Sequence, residues 1–159
     1  MYHIIVETIE GYNFYKKKNN NISAIYYSSN EEVILFLKSR NEKVINIEIF
    51  LTKNEVNKIG KLSYIIQEKI SVFLNTKCEF LDNLKIGDIL NFSIFQTIFI
   101  LIYKQSLLNK LNTNNIEQKI ICVGNPEPAK HSRIDLYFDR FDNIFSILAK
   151  NSDNQLIKN

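Results

Sequence analysis

Apolar positions recur along this chain with two different periods. Ala24-Ile25-Tyr26-Tyr27-Ser28 is β-branched and aromatic and stops at Ser29-Asn30, as a strand does. Val44, Ile45, Ile47 and Ile49 alternate with Asn46 and Glu48, the period-two pattern of a second strand. Lys119-Ile120-Ile121-Cys122-Val123 is a continuous apolar run, which fits a strand covered on both faces. His3 to Glu7 is a shorter run of the same kind, read as an edge strand with His3 partly exposed. Between these lie stretches with helical spacing. Val33, Leu35, Phe36 and Leu37 predict a helix ending near Arg40-Asn41. Val56, Ile59, Leu62, Ile66, Ile70 and Phe73 form one stripe of an amphipathic helix of about five turns. Residues 89–111 read as a long, mostly buried helix, and residues 134–150 as a last helix packing Leu136, Phe138, Phe141, Ile144, Phe145 and Leu148. Residues 11–21 are polar and aromatic and end in three Lys and three Asn, which reads as a loop or an edge hairpin. Residues 78–81 read as a connector or an edge strand.

Start and stop signals sharpen these boundaries. Ser29 or Asn30 can accept from the first amides of the helix that follows, and Glu31 and Glu32 sit at the positive end of its dipole. Thr52-Lys53-Asn54-Glu55 is a capping box. Gly124-Asn125-Pro126-Glu127-Pro128 is the strongest loop signal in the chain. Strand and helix alternate, which predicts an α/β fold: a three-layer, Rossmann-like domain with a mostly parallel sheet and helices on both faces. No repeat or linker divides residues 1–159, so a single domain is expected.

Composition adds exclusions. Of 159 residues, 45% are hydrophobic and 23% charged, so a disordered chain, a collagen-like repeat and a disulfide scaffold are all ruled out. The chain holds 26 Ile, 21 Asn and 17 Lys against 3 Arg, a skew typical of an A- and T-rich genome. Net charge is +3 and is carried by scattered Lys, with only Lys16, Lys17 and Lys18 adjacent, which does not predict a nucleic-acid partner. Cys78 and Cys122 lie far apart beside apolar residues and read as buried free thiols. The first residues lack a basic n-region and a cleavage site, and a cytoplasmic protein is expected. Ile89 to Tyr103 is the most apolar stretch. It is interrupted by Asn91, Ser93, Gln96 and Thr97 and is too short to cross about 30 Å of hydrocarbon, so no membrane span is expected.

In an open parallel sheet, ligands bind beyond the C-terminal ends of the strands. Residues 124–133 would follow the most buried strand and gather Gly124, Asn125, Glu127, His131, Ser132 and Arg133. Gly124 permits a close backbone turn, His131 could act as a general base with Glu127 as an acid, and Arg133 could pair with a phosphate or carboxylate. The same polar residues could simply cap the last helix, with Ser132 as N-cap and Asp135 reaching back. Ser28, Ser29 and Asn30 could offer hydroxyls and helix amides to an anion, or serve capping alone. Thr52 and Glu55 form a cap first, and Asp139, Arg140 and Asp142 read as pairs within the last helix. The G-x-G-x-x-G, G-x-x-x-x-G-K-[ST], G-x-S-x-G and H-E-x-x-H signatures are absent, and no His/Cys cluster has metal-ligand spacing, so neither cofactor nor metal is expected.

The stretch Leu81-Asp82-Asn83-Leu84-Lys85-Ile86-Gly87-Asp88-Ile89-Leu90 opens the long helix, which is followed by Asn114-Asn115, the strand 119–123 and the loop after Gly124. In the order and lengths of its elements, over roughly residues 24–150, the chain resembles the N-terminal lobe of two-lobed, GT-B-type bacterial glycosyltransferases of surface-polysaccharide (capsule or lipopolysaccharide) synthesis. The resemblance implies transfer of a sugar from a nucleotide-sugar donor. It implies that this lobe shapes the acceptor side of the cleft, and that a C-terminal lobe missing here holds the donor. An isolated lobe of that kind would not turn over alone. The competing expectation is a non-catalytic α/β interaction domain that pairs through a helix face. A third is weak nucleic-acid binding through Lys16 to Lys18.

Overall fold

Strand β1 (Tyr2–Val6) carries four consecutive buried residues, His3 to Val6. Neighbouring residues of a strand point to opposite faces, so this strand has to be sheltered on both. A computed structural model describes residues 2–20, 22–77, 85–114, 120–124 and 145, and in it β1 is an interior strand. It pairs on one side with β2 (Ala24–Ser28) and on the other with β4 (Ile120–Val123), while β3 (Val44–Asn46) pairs with the outer edge of β2. All pairings are parallel and the order is β3-β2-β1-β4. Ile4 lies opposite Tyr26 and Ile121, and Ile5 opposite Tyr27 and Cys122. The chain is therefore an α/β protein with a Rossmann-like parallel sheet.

Two compact units make up the chain, one of residues Met1–Phe50 with Leu107–Asn159 and one of Leu51–Ser106. In the sheet unit, one face of the sheet presents Ile4, Val6, Tyr26 and Ile121 to Tyr12 and Tyr15 of α1 (Ile9–Lys18) and to Val33 and Leu37 of α2 (Glu31–Ser39). The alternate residues His3, Ile5, Tyr27, Ile120 and Cys122 are buried too, as is Phe145. His3 is thus not on an edge: it is 6% exposed, and its Nδ1 lies 2.8 Å from the Tyr27 hydroxyl, with the two rings stacked. Burying a polar ring needs such a partner.

Helix α1 replaces the expected loop or hairpin at 11–21. Thr8 caps it, its Oγ1 accepting from the Gly11 amide at 3.1 Å. The three lysines fill its last turn, where cations oppose the negative end of the dipole. An early Gly and a short apolar stripe hid this helix. Helix α2 starts on Asn30, as its cap signal predicts, and Asn41 follows its end with φ 56°. Strand β3 is shorter than the alternation predicts. The Asn46 side chain accepts from the Glu48 amide at 2.9 Å and starts a 3₁₀ turn over Ile47–Phe50.

The second unit pairs α3 (Lys53–Lys77) with the antiparallel first part of α4 (Ile86–Asn114). Thr52 and Glu55 form the predicted box: the Thr52 amide and hydroxyl both donate to Glu55 Oε2 at 2.8 Å, and the Glu55 amide donates to Thr52 Oγ1 at 3.3 Å. The expectation that α4 is mostly buried and too short to cross a membrane does not hold: 6% of its most apolar window is buried, and by length and composition the helix is long and apolar enough to cross one. Leu107, Leu108 and Leu111, at its far end in the sheet unit, are the fully enclosed exceptions. Residues 78–81 and, apart from Phe145, the predicted last helix at 134–150, including Asp139, Arg140 and Asp142, lie outside the described residues.

One charged cluster closes the open edge of the main core. Lys16 Nζ is 2.8 Å from Glu42 Oε1, and the Tyr12 hydroxyl donates to the same oxygen at 2.7 Å. The Lys16 ammonium also lies over the Tyr12 and Tyr26 rings, and the Arg40 guanidinium over Phe36. Burial pushes the Glu42 carboxyl up, but the bonds from Lys16 and Tyr12 outweigh it and hold the carboxyl below its ordinary value. A depressed folded-state pKa contributes stability that is present above the unfolded value, about 4.3, and lost as pH falls through the folded one. The difference in thermal midpoint between the native chain and Glu42→Gln should therefore be constant near neutrality and shrink in acid. A melting series from pH 7 to pH 3 measures it, and a constant difference across that range would refute the role given to the charge.

Candidate functional site

The order β3-β2-β1-β4 reverses direction between β1 and β4, which makes that junction the topological switch point. The residues at the C-terminal ends of the strands are Glu7 and Thr8 after β1, Ser28 to Asn30 at the end of β2, Asn46 ending β3, and Gly124 after β4. Ser28 and Asn30 were predicted as anion ligands. Ser28 is completely buried, its Oγ donating to the Val6 carbonyl at 2.8 Å and accepting from the Asn30 amide at 3.1 Å. Asn30 Oδ1 accepts from the Glu32 amide at 3.0 Å. Both side chains are therefore engaged in joining β2 to β1 and in starting α2. Ser29 lies between them, half-buried.

At the switch point itself the two backbones touch. A Cβ added to Gly11 would collide with the carbonyl oxygen of Gly124. Gly124, expected to permit a close backbone turn, instead receives the close approach of α1. The glycine that makes this possible is at the start of that helix and was not singled out from the sequence. Glu7 was missed as well. Its carboxylate is 6% exposed and accepts from the Phe145 amide at 2.8 Å, which ties the end of β1 to a residue far along the chain. A carboxylate held by a backbone N–H is stabilised in its charged form. The signal that could have found it is its position: an acid that directly follows an apolar strand run, just ahead of a Thr cap.

Cys122 lies beside this carboxylate in β4. Burial raises its thiol well above the ordinary range, and the Glu7 charge raises it further. A thiol so placed is a packing group and not a nucleophile. Among the described residues, no three His, Cys, Asp or Glu side chains gather as a metal site. Asn125, Glu127, His131 and Arg133 lie outside the described residues, so the remaining predicted site residues have no geometry here.

The described strand ends thus consist of caps and cross-strand ties: Thr8 to Gly11, Ser28 to Val6, Asn30 to Glu32, Asn46 to Glu48, and Glu7 to Phe145. These groups hold the sheet and its helices in register. A different surface stands out in the second unit. Within it Ser63, Gln67 and Ser71 of α3 are buried, and Gln67 and Ser71 both bond to the Asn91 side chain of α4. Asn75 links to Asp88 at 2.9 Å and to the Gly87 amide at 2.7 Å. The helices approach so closely here that a Cβ on Gly87 would strike the Ser71 backbone. The apolar stripe of α3 is half uncovered: Ile59 is buried, but Leu62 is 47% and Phe73 58% exposed, and across the pair Ile89 and Phe92 are 64% and 72% exposed. Comparison of the chain with family models, with curated proteins and with solved structures finds no match.

Two measurements check the sheet site. Gly11→Ala forces two backbones apart and should cost about 1–3 kcal/mol or more, read as a lower urea midpoint. A midpoint equal to that of the native chain would contradict the close approach. In a Cys78→Ser background, Cys122 should resist a thiol reagent in the folded protein and react fully in denaturant. Prompt reaction in the folded state would place the thiol in solvent.

Proposed function

We propose that the chain is a non-catalytic α/β interaction domain: the sheet unit is a rigid carrier, and the α3–α4 hairpin is the working surface. One observation carries this reading. Beside Ile59 the hairpin buries Ser63, Gln67 and Ser71, while Leu62, Val72, Phe73, Ile89 and Phe92 are exposed, more apolar surface than a free-standing helical pair leaves in water. A surface of that kind is stable only against a partner. The strand ends support the same reading from the other side, because their described polar groups serve as caps and inter-strand ties.

The acceptor lobe of a sugar transferase is the second reading, and the switch point favours it: the strand order reverses between β1 and β4, beside Glu7 and Gly124, where open α/β sheets hold their ligands. Fold-level likeness supports a site location and not a chemistry.

Amide NMR of the chain, titrated with nucleotide sugars and acceptor glycans to millimolar concentration, separates the two readings. The interaction domain should show no saturable shifts at Glu7, Ser28 to Asn30 or Gly124 to Arg133. Saturable shifts concentrated there would overturn it in favour of the sugar-binding lobe, with His131 the first residue to substitute.

A further inference from the structure

Resting on the interaction-domain reading, we infer that the partner of the hairpin is a lipid leaflet, and that α3 and α4 form an interfacial, monotopic membrane anchor with a preference for anionic lipid. In water, helices pair by burying apolar stripes. In lipid the tails are as apolar as leucine, so helices pair through small residues and interhelical hydrogen bonds. The hairpin follows the second rule. Its contact uses Gln67, Ser71 and Asn75 on α3 with Gly87, Asp88 and Asn91 on α4, and Gly87 lets the backbones meet.

The distribution of apolar surface argues for lipid over a second copy of the chain. α4 has an apolar window of mean hydropathy 1.6 that is 6% buried. Ile89, Leu90, Phe92 and Leu101 are exposed and, at 100° per residue, fall within one half of the helix, turned away from the Gly87–Asn91 contact with α3. An apolar arc that wide exceeds the narrow seam by which two helices pair and suits the face of a leaflet.

Geometry limits the depth. The uncharged run between Asp88 and Lys104 is fifteen residues, 89–103, and rises about 22 Å as helix, less than the roughly 30 Å of a hydrocarbon core. α3 is amphipathic and lysine-rich, with five Lys against two Glu. Leu62, Ile66, Ile70 and Phe73 form the inserting stripe. Lys69 lies three residues after Ile66 and four before Phe73, where its ammonium can reach headgroups. A pocket beside Gly60 sets Lys58 and Lys61 next to the Phe99 ring, pairing cationic and apolar groups as a headgroup and its acyl chain require.

The chain has no Trp, so Phe92→Trp gives a single reporter at an exposed position. The full-length variant, checked for native circular dichroism, is mixed with vesicles of phosphatidylcholine alone and of phosphatidylcholine with phosphatidylglycerol at 3:1. The expected result is co-sedimentation with the anionic vesicles, a blue shift, and quenching by lipids brominated along their tails. The pair Ile89→Asn and Phe92→Ser in the otherwise native chain should then weaken partition by about tenfold or more. Binding without tail quenching would overturn insertion. Absence of vesicle binding together with a concentration-dependent dimer that the same pair abolishes would overturn the lipid proposal and keep the interaction domain. A monomer that ignores vesicles would overturn the lipid proposal and leave the hairpin to a different protein partner.

Discussion

The double burial of β1 is the constraint on which the sheet unit depends. Ile4 and Val6 belong to the core shared with α1 and α2, while His3 and Ile5 are enclosed on the opposite side. A strand enclosed in this way needs its backbone amides and carbonyls paired on both edges, because an unpaired buried peptide group costs about as much as a lost hydrogen bond. β2 and β4 supply the two edges. Much of what was first examined as a site follows from that demand. Ser28 fastens β2 to the end of β1, and Glu7 fastens the end of β1 to Phe145. Gly11 is small so that α1 can meet the backbone of Gly124, just after β4, beside it.

The two units solve the burial problem in opposite ways. In the sheet unit the interior is aliphatic and aromatic, and its charged cluster sits at the rim, where Lys16 and Glu42 are still partly wet. In the hairpin the enclosed positions include serine, glutamine and glycine, and the bulky side chains face out. Polar contacts between helices are weak in water because water competes for them. They gain in worth where that competitor is missing. The hairpin's internal contacts therefore match the surroundings that its outer surface calls for.

Much of the fold was legible in the residues. β2 was bounded correctly, Asn30 and the Thr52–Glu55 box mark the helix starts they were expected to mark, and strand–helix alternation gave the parallel sheet. The failures share a cause: periodicity tells which side chains lie on one face, and says nothing of what covers that face. The stripe from Val56 to Phe73 is real, yet Leu62, Ile70 and Phe73, half of it, are exposed. α4 is apolar on all sides, a pattern shared by buried helices and helices in lipid. His3 looked peripheral because its position in the sheet depends on β4, which comes much later in the chain. The candidate site suffered from the same gap. Ser28 was found by type, and its role as a tie only became visible once Val6 was in place.

The pairing of β1 with β4 also sets an order of events during synthesis. His3 is made early and meets β2 within a few tens of residues, but its other neighbour, Ile120, emerges only after α3 and α4 have been made. At about 5–20 residues per second, the free edge of the most apolar strand stays open for on the order of ten seconds. An open parallel edge is a template for wrong pairing with any nascent neighbour. Through most of its synthesis this chain is a half-built sheet, and β4, the last strand among the described residues, is the one that seals β1.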